Sequence, residues 1–336
     1  MIKVLEDYHL RCKDNFCIGT HNGIFHADEV IATSILNILY EGEKDVEVLR
    51  TRDLDLLYSV TDIIIDVGGG FYDHHQKGGN GQRENGVKYA SAGLIWRDFG
   101  IKTIHKLTDG LTDAKLTLKS KEKIFKMIDN DIIQNIDKED NGQNQVVHPF
   151  QFIKQFLPEW YDLSANVDKN FESCVNICSE ILTRIIKGYI SNELARKEIE
   201  SRLNSFYYRS GDILFINSQT MPWLESVIDY NNKNEDTPID FVVFEYPAGG
   251  YALQCVPPSI EDSFSQRVPL PKNWAGETTD LPVISGVRTA TFCHGGRFFA
   301  RAKELSDIVI MCNLAREEYN KEIGNIPVRK KSNQNK

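Results

Sequence analysis

Three consecutive isoleucines at 63–65, set between Asp62 and Asp66 and followed by Gly68, Gly69 and Gly70, constrain this chain most. A β-branched run of that length reads as a buried strand with a glycine-marked exit. Shorter strand-like runs at 16–20 and 46–49 flank helical patterns at 28–40, 91–100 and 121–135. Strands and helices alternating in this way predict βαβ units and a parallel sheet. A helical pattern then runs from 170 to 208, with Phe171, Cys174, Cys178, Ile181, Ile185 and Tyr189 as its apolar stripe. Strands are expected at 213–217, 240–245, 251–256 and 289–293, and a closing helix at 300–320. The chain has 336 residues, which suits two domains at about 100–200 residues each.

The functional reading starts from where the histidines fall. His21 follows the first strand, in GTHNGIFHADEV with His26 and Asp28. Asp66 closes the isoleucine strand, and Asp73, His74 and His75 lie just beyond it. Ligands of open α/β sheets bind beyond the carboxyl ends of the strands, so both clusters converge if the two strands are parallel neighbours. Imidazole and carboxylate without thiolate suit Mn²⁺, Fe²⁺ or Zn²⁺. Two ions sharing a carboxylate can assist phosphoryl displacement.

Composition narrows the field. A hydrophobic fraction of 41% excludes collagenous and disordered chains, and the net charge of −9 argues against a broad basic face for duplex DNA. Apolar runs stay well short of a membrane span, so no membrane partner is expected. The seven cysteines are odd in number and form no C-x-x-C, which predicts a reducing compartment. The N-terminus has neither a secretory h-region nor presequence character. Cytoplasmic or nuclear placement follows. Arg329, Lys330, Lys331 and Lys336 make a basic tail, read as a solvated end.

Asp73-His74-His75 resembles the name-giving motif of the DHH phosphoesterase superfamily. Together with GTHNGIFHADE, DVGG, YDHHQ, YASAGLIW, IDKEDNG and SFSQRVPLPKNWAG, it resembles the melanocyte-proliferating-gene (MYG) branch over about residues 18–315. The resemblance implies an α/β chain: a parallel-sheet DHH catalytic domain (1–165), a long helical connector (166–208) and a smaller α/β substrate-binding domain (209–336). It also implies 3′–5′ exonuclease activity on RNA with two divalent ions of the Mn²⁺ type, Mg²⁺, Fe²⁺ and Zn²⁺ being alternatives. Nuclear and mitochondrial placement comes with it. By resemblance His21 and His26 would bind one ion, Asp28 and His74 the other, and Asp66 both. Asp73 would orient the histidines, and His75 would face the scissile phosphate. One further carboxylate is expected, from Asp137 or Asp140. The family has a longer stretch between DVGG and YDHHQ, where this chain has only Gly70 and Phe71 between Gly69 and Tyr72. The Gly-rich insert KGGNGQRENG that follows is expected to be mobile.

His294-Gly295-Gly296-Arg297 is read as a phosphate-receiving turn between a strand and a helix, with Arg297 and Arg267 as phosphate partners. Trp274 and Phe298 suit either base stacking or core packing. The expected partner is single-stranded RNA or a short oligonucleotide. Three other functions remain: a small-molecule phosphohydrolase acting on pyrophosphate or a nucleoside bisphosphate, a non-catalytic metal-binding scaffold, and metal-independent nucleic-acid binding.

Overall fold

A computed structural model describes residues 1–109, 111, 116–143 and 146–324. The basic tail with Arg329, Lys330, Lys331 and Lys336 lies outside the described residues. The chain divides into two units, Met1–Glu193 and Leu194–Lys336.

In the first unit β1 (Lys3–Val4), β2 (Phe16–Thr20), β3 (Val46–Arg50) and β4 (Ile63–Ile64) form a sheet in the order β1-β3-β2-β4, every pair parallel. The expected parallel sheet is therefore present, with β2 and β4 side by side. β4 is much shorter than the run at 62–67. Ile65 keeps one hydrogen bond to β2, through the Gly19 carbonyl (2.9 Å), and then the backbone turns at Asp66 to a φ of 58°. Leaving the strand there brings the Asp66 carboxylate against His21, His74 and Ser91.

Helices α1 (Ala27–Tyr40) and α2 (Leu54–Val60) follow β2 and β3. α3 (Ser91–Thr108) packs along α1 and is longer than the 91–100 pattern, because Gly100 does not end it. A Cβ on Gly100 would stand 2.7 Å from the Trp96 ring and 2.9 Å from that of Phe125, so this glycine serves close packing. The helix expected at 121–135 is instead α4 (Leu118–Ile128), a π-helical turn (Asp129–Ile133) and α5 (Gln134–Asp140). α6 (Val167–Leu203) begins in the first unit and contains the division between units. Its buried face follows Phe171, Cys174 and Cys178, then moves one residue on to Leu182, Ile186 and Ile190. Ile181, Ile185 and Tyr189 are only half-buried.

The second unit has β5 (Arg209–Ser210), β6 (Ile213–Ile216), α7 (Leu224–Lys233), β7 (Phe241–Glu245), β8 (Tyr251–Cys255), α8 (Leu281–Ser285), β9 (Ala290–Cys293), β10 (Phe299–Ala302) and α9 (Leu305–Gly324). The sheet order is β5-β6-β7-β8-β10-β9, with β6 and β7 its one parallel pair. Side chains alternate between its faces. Ile213, Phe241, Val243 and Leu253 share a core with Ile308 and Met311 of α9. Leu214, Val242, Phe244 and Ala252 share another with Val227 of α7 and Ile199 of α6. The 300–320 pattern joined two elements: residues up to Ala302 complete β10, and only then does α9 begin. Among the described residues no helix is long and apolar enough to cross a membrane.

Candidate metal centre

β2 delivers His21 directly past its last residue, Thr20. The His21 ring Nδ1 lies 3.1 Å from the Asn22 carbonyl, an acceptor only, so this nitrogen carries the proton. Nε2 then faces the Glu29 and Asp66 carboxylates, 3.3 Å from each. His26 caps α1, and its backbone N–H donates to Glu29 Oε2 at 2.8 Å. The first turn of α1 thus carries Asp28 and Glu29 inward, both fully buried.

From the exit of β4, Asp66 meets His74, whose Nε2 is 3.3 Å from Asp66 Oδ1, 2.9 Å from Asp140 Oδ2 and 3.7 Å from Asp28 Oδ2. Asp73 accepts from the backbone N–H of Gly69 (2.6 Å) and of His75 (3.0 Å), and its Oδ1 is 2.8 Å from His75 Nδ1. It is a positioning carboxylate. Burial opposes its charge, yet the His75 and Gly69 N–H groups hold it below the ordinary carboxylate range. The His75 side chain remains 59% exposed, so its ring is accessible.

Three donor sets overlap here: His21, His26, Glu29 and Asp66; Asp66, His74 and His75; and His26, Asp28 and Asp140. Within each, the donor atoms lie no more than 4.8 Å apart. Asp28 Oδ1, Glu29 Oε1, Asp66 Oδ2 and His74 Nε2 are buried without a well-formed hydrogen bond, although Glu29 and Asp66 face His21 and His74 faces Asp140 as ion-pair contacts. Buried polar atoms are normally satisfied, and each orphan costs about 1–3 kcal/mol. These four atoms, all imidazole or carboxylate and spread over the overlapping donor sets, fit divalent cations.

The electrostatics agree. Burial disfavours a charge on His21, but Asp66 and Glu29 outweigh it and raise the imidazole to about 10. His74 is likewise raised to about 10 by Asp140 and Asp66 against burial. Asp28 is pushed well above the usual carboxylate range by burial and by the charges of Asp66 and Asp140. Asp66 is pulled down because His21 and His74 overcome its own burial.

The sequence-based candidates thus separate. His21, His26, Asp28, Asp66, His74, His75 and Asp140 come together, with Asp73 behind them. Asp137, one turn earlier on α5, faces elsewhere. Its Oδ2 pairs with Arg83 (2.7 Å) and its Oδ1 accepts from the Gly93 N–H (2.9 Å), so its carboxylate supports α3 and belongs to none of the donor sets. Arg83 comes from the glycine-rich insert and also grips Asp129. Asn80 of the same insert donates to the carbonyls of Phe71 (2.7 Å) and Asp73 (3.0 Å). These bonds tie down the segment expected to be mobile. Glu29 and Ser91 escaped the sequence reading. Glu29 looks like an ordinary capping-box residue, and its position directly after Asp28 was the available signal. The Ser91 hydroxyl donates to Asp66 (3.0 Å) and its N–H to Asp28 (3.2 Å).

The second-unit candidates are placed differently. His294-Gly295-Gly296-Arg297 forms the turn between β9 and β10, not the start of a helix. The Arg297 N–H donates to the His294 carbonyl (2.8 Å), and the Gly296 N–H to the His294 ring (2.9 Å). Arg297 donates through Nε to the Leu270 carbonyl at 2.6 Å, and Arg267 to Asp240 at 2.8 Å. Trp274 is buried in the core beneath.

Comparison with known proteins converges on one group. The family model MYG1_exonuc, described as "Uncharacterised protein family (UPF0160)", matches residues 17–315. The chain is 29% identical to the "MYG1 exonuclease" of Homo sapiens over 334 residues, covering 90% of this chain and 86% of that one. It is 30% identical to a "MYG1 protein" of Caenorhabditis elegans over 306 residues (82% and 88%). Against a "MYG1 protein" of Chlamydia pneumoniae it is 27% identical over 295 residues (84% and 90%).

Proposed function

The chain belongs to the MYG1_exonuc family, and from that premise we propose that it is a metal-dependent phosphodiesterase, a 3′–5′ exonuclease acting on single-stranded RNA. The observation that carries the proposal is the gathering of imidazole and carboxylate donors, several of them buried without a well-formed hydrogen bond, at the ends of β2 and β4. The relatives named as exonucleases support the nuclease reading. RNA and the 3′–5′ polarity come from the DHH-type resemblance, as do the two ions, proposed as Mn²⁺.

His21, His26, Glu29 and Asp66 would hold one ion, and Asp28, His74 and Asp140 the other, with Asp66 facing both. Bound there, divalent ions supply positive charge against the developing phosphoryl negative charge and lower the pKa of water. The protein's own groups do the rest. Ser91 fixes Asp66 and Asp28 through its hydroxyl and N–H, so these carboxylates need not reorganise. Asp73 holds the His75 ring by Nδ1, leaving Nε2 for a phosphate oxygen or a leaving group. Orienting partners of this kind are typically worth 10–100-fold.

The test is turnover of 5′-labelled single-stranded RNA with Mn²⁺, with and without chelator, beside a dinucleotide and pyrophosphate. A ladder receding from the 3′ end and stopped by chelator is expected. A small-molecule phosphohydrolase is the second reading, favoured by the net charge of −9. A polymer binder loses affinity steeply as salt rises, so a flat salt titration of RNA affinity would establish that reading instead.

A further inference from the structure

We infer that the pocket beside the donor cluster is a nucleoside subsite, which receives the base and sugar of the residue whose phosphate meets the donors. The inference rests on the phosphodiesterase reading and adds where the organic half of the substrate goes.

The pocket has a volume of about 600 Å³, within the range of small-molecule sites. It lies wholly in the first unit. One end is formed by His26, His74, His75 and Asp140, members of the donor sets. Ile24, Phe25, Ile136, Phe150, Ile153 and Leu157 make up the apolar part of the lining. Phe25, Ile136, Phe150 and Ile153 are almost fully buried and form its firm floor, while Ile24 and Leu157 present the open apolar surface. This mixed lining asks for two chemistries within one ligand, an anion for the donor side chains and an apolar body for the rest. Phosphate or pyrophosphate would leave the apolar half unfilled. A nucleotide fills both.

The charged groups on the rim agree. Glu139 lines the pocket, but Lys154 and His148 both bond its carboxylate, so its charge is matched before a phosphate arrives. The Lys154 side chain, paired with Glu139, is 69% exposed and also lines the pocket. The arginines of the second unit proposed for phosphate are bonded to Asp240 and Leu270. The lining that Phe150, Gln151, Ile153, Lys154 and Leu157 give the pocket assigns contact with the base and sugar to the segment 148–157, after α5.

The test is equilibrium binding to the full-length chain in Mn²⁺, by calorimetry, of adenosine 5′-monophosphate, ribose 5-phosphate and hexyl phosphate. The nucleotide is expected to bind at least tenfold more tightly than either of the others. Leu157→Trp, which fills the edge of the pocket, should erase that advantage. Equal affinities for nucleotide and sugar phosphate, undetectable binding of all three, or hexyl phosphate binding as tightly as the nucleotide would overturn the subsite. So would a Leu157→Trp protein of native circular dichroism that kept the full advantage. If that variant fails to fold, the three-ligand series on the parent chain decides alone. RNA turnover by the same preparation separates the two readings. Activity without a base advantage sinks only the subsite, and a base advantage without activity sinks only the phosphodiesterase.

Discussion

Three histidine-bearing turns, each at the end of a strand, end in two different states. The turns after β2 and β4 bring His21, Asp66 and His74 together as crowded ion-pair contacts, with several buried atoms lacking a well-formed hydrogen bond. The turn after β9 brings His294, Gly296 and Arg297 together with their polar groups bonded to one another or to Leu270. All three look like sites in sequence. The difference is one of unspent bonding capacity: a site keeps donors and acceptors in reserve, at a cost in stability, whereas a structural turn uses them up.

The comparison can be broken at either end. The largest effect is expected from Asp66→Asn or His74→Ala, which should abolish RNA hydrolysis while circular dichroism stays native. Parental rates from either purified variant would remove the site. Next is Arg83→Ala. It leaves the buried Asp137 carboxylate without its ion-pair partner, a change that costs about 3–5 kcal/mol, visible as a shift of the urea midpoint. An unchanged midpoint would mean that the insert does not brace α3. A smaller effect concerns protons. With His21 and His74 raised to about 10, both imidazoles carry a proton at neutral pH, and metal uptake must displace it. Mn²⁺ affinity should therefore rise with pH from 6 to 9. Titration in buffers of different ionisation heat should show protons released on binding, and a pH-independent affinity would contradict the assignment. The smallest effect belongs to the turn after β9. Arg297→Ala loses one hydrogen bond to a carbonyl, about 1 kcal/mol, and should leave RNA turnover at the parental level. A tenfold loss there would make that turn a site after all.

Much of this was legible from residue order. The parallel sheet follows from alternating elements, and His21, Asp66 and His74 gather because strand ends of such a sheet share one edge. What stayed hidden was decided by residues distant in sequence. Asp137 and Asp140 lie three apart on one short helix, and the choice between them is made by Arg83, about fifty residues earlier, which claims Asp137. Glu29 was masked by its second duty at the start of α1. Gly100 resembled a helix stop until the Trp96 and Phe125 rings showed why no side chain fits. The pair Gly295-Gly296 suits a helix start and a hairpin equally. Only the alternation of Phe299, Ala300, Arg301 and Ala302 between the two faces of a strand separates them.

Asp66 sits at a φ of 58°, a region in which a side chain costs about 1–2 kcal/mol. Its carboxylate lies 3.3 Å from both His21 and His74, which keep it charged despite its burial. Glycine at 66 would relieve the backbone but leave two imidazolium groups without that counter-charge. An Asp66→Gly chain is accordingly expected to melt at a lower temperature than its parent. The strained residue at the end of β4 is thus also the clasp that holds the turns after β2 and β4 to one another.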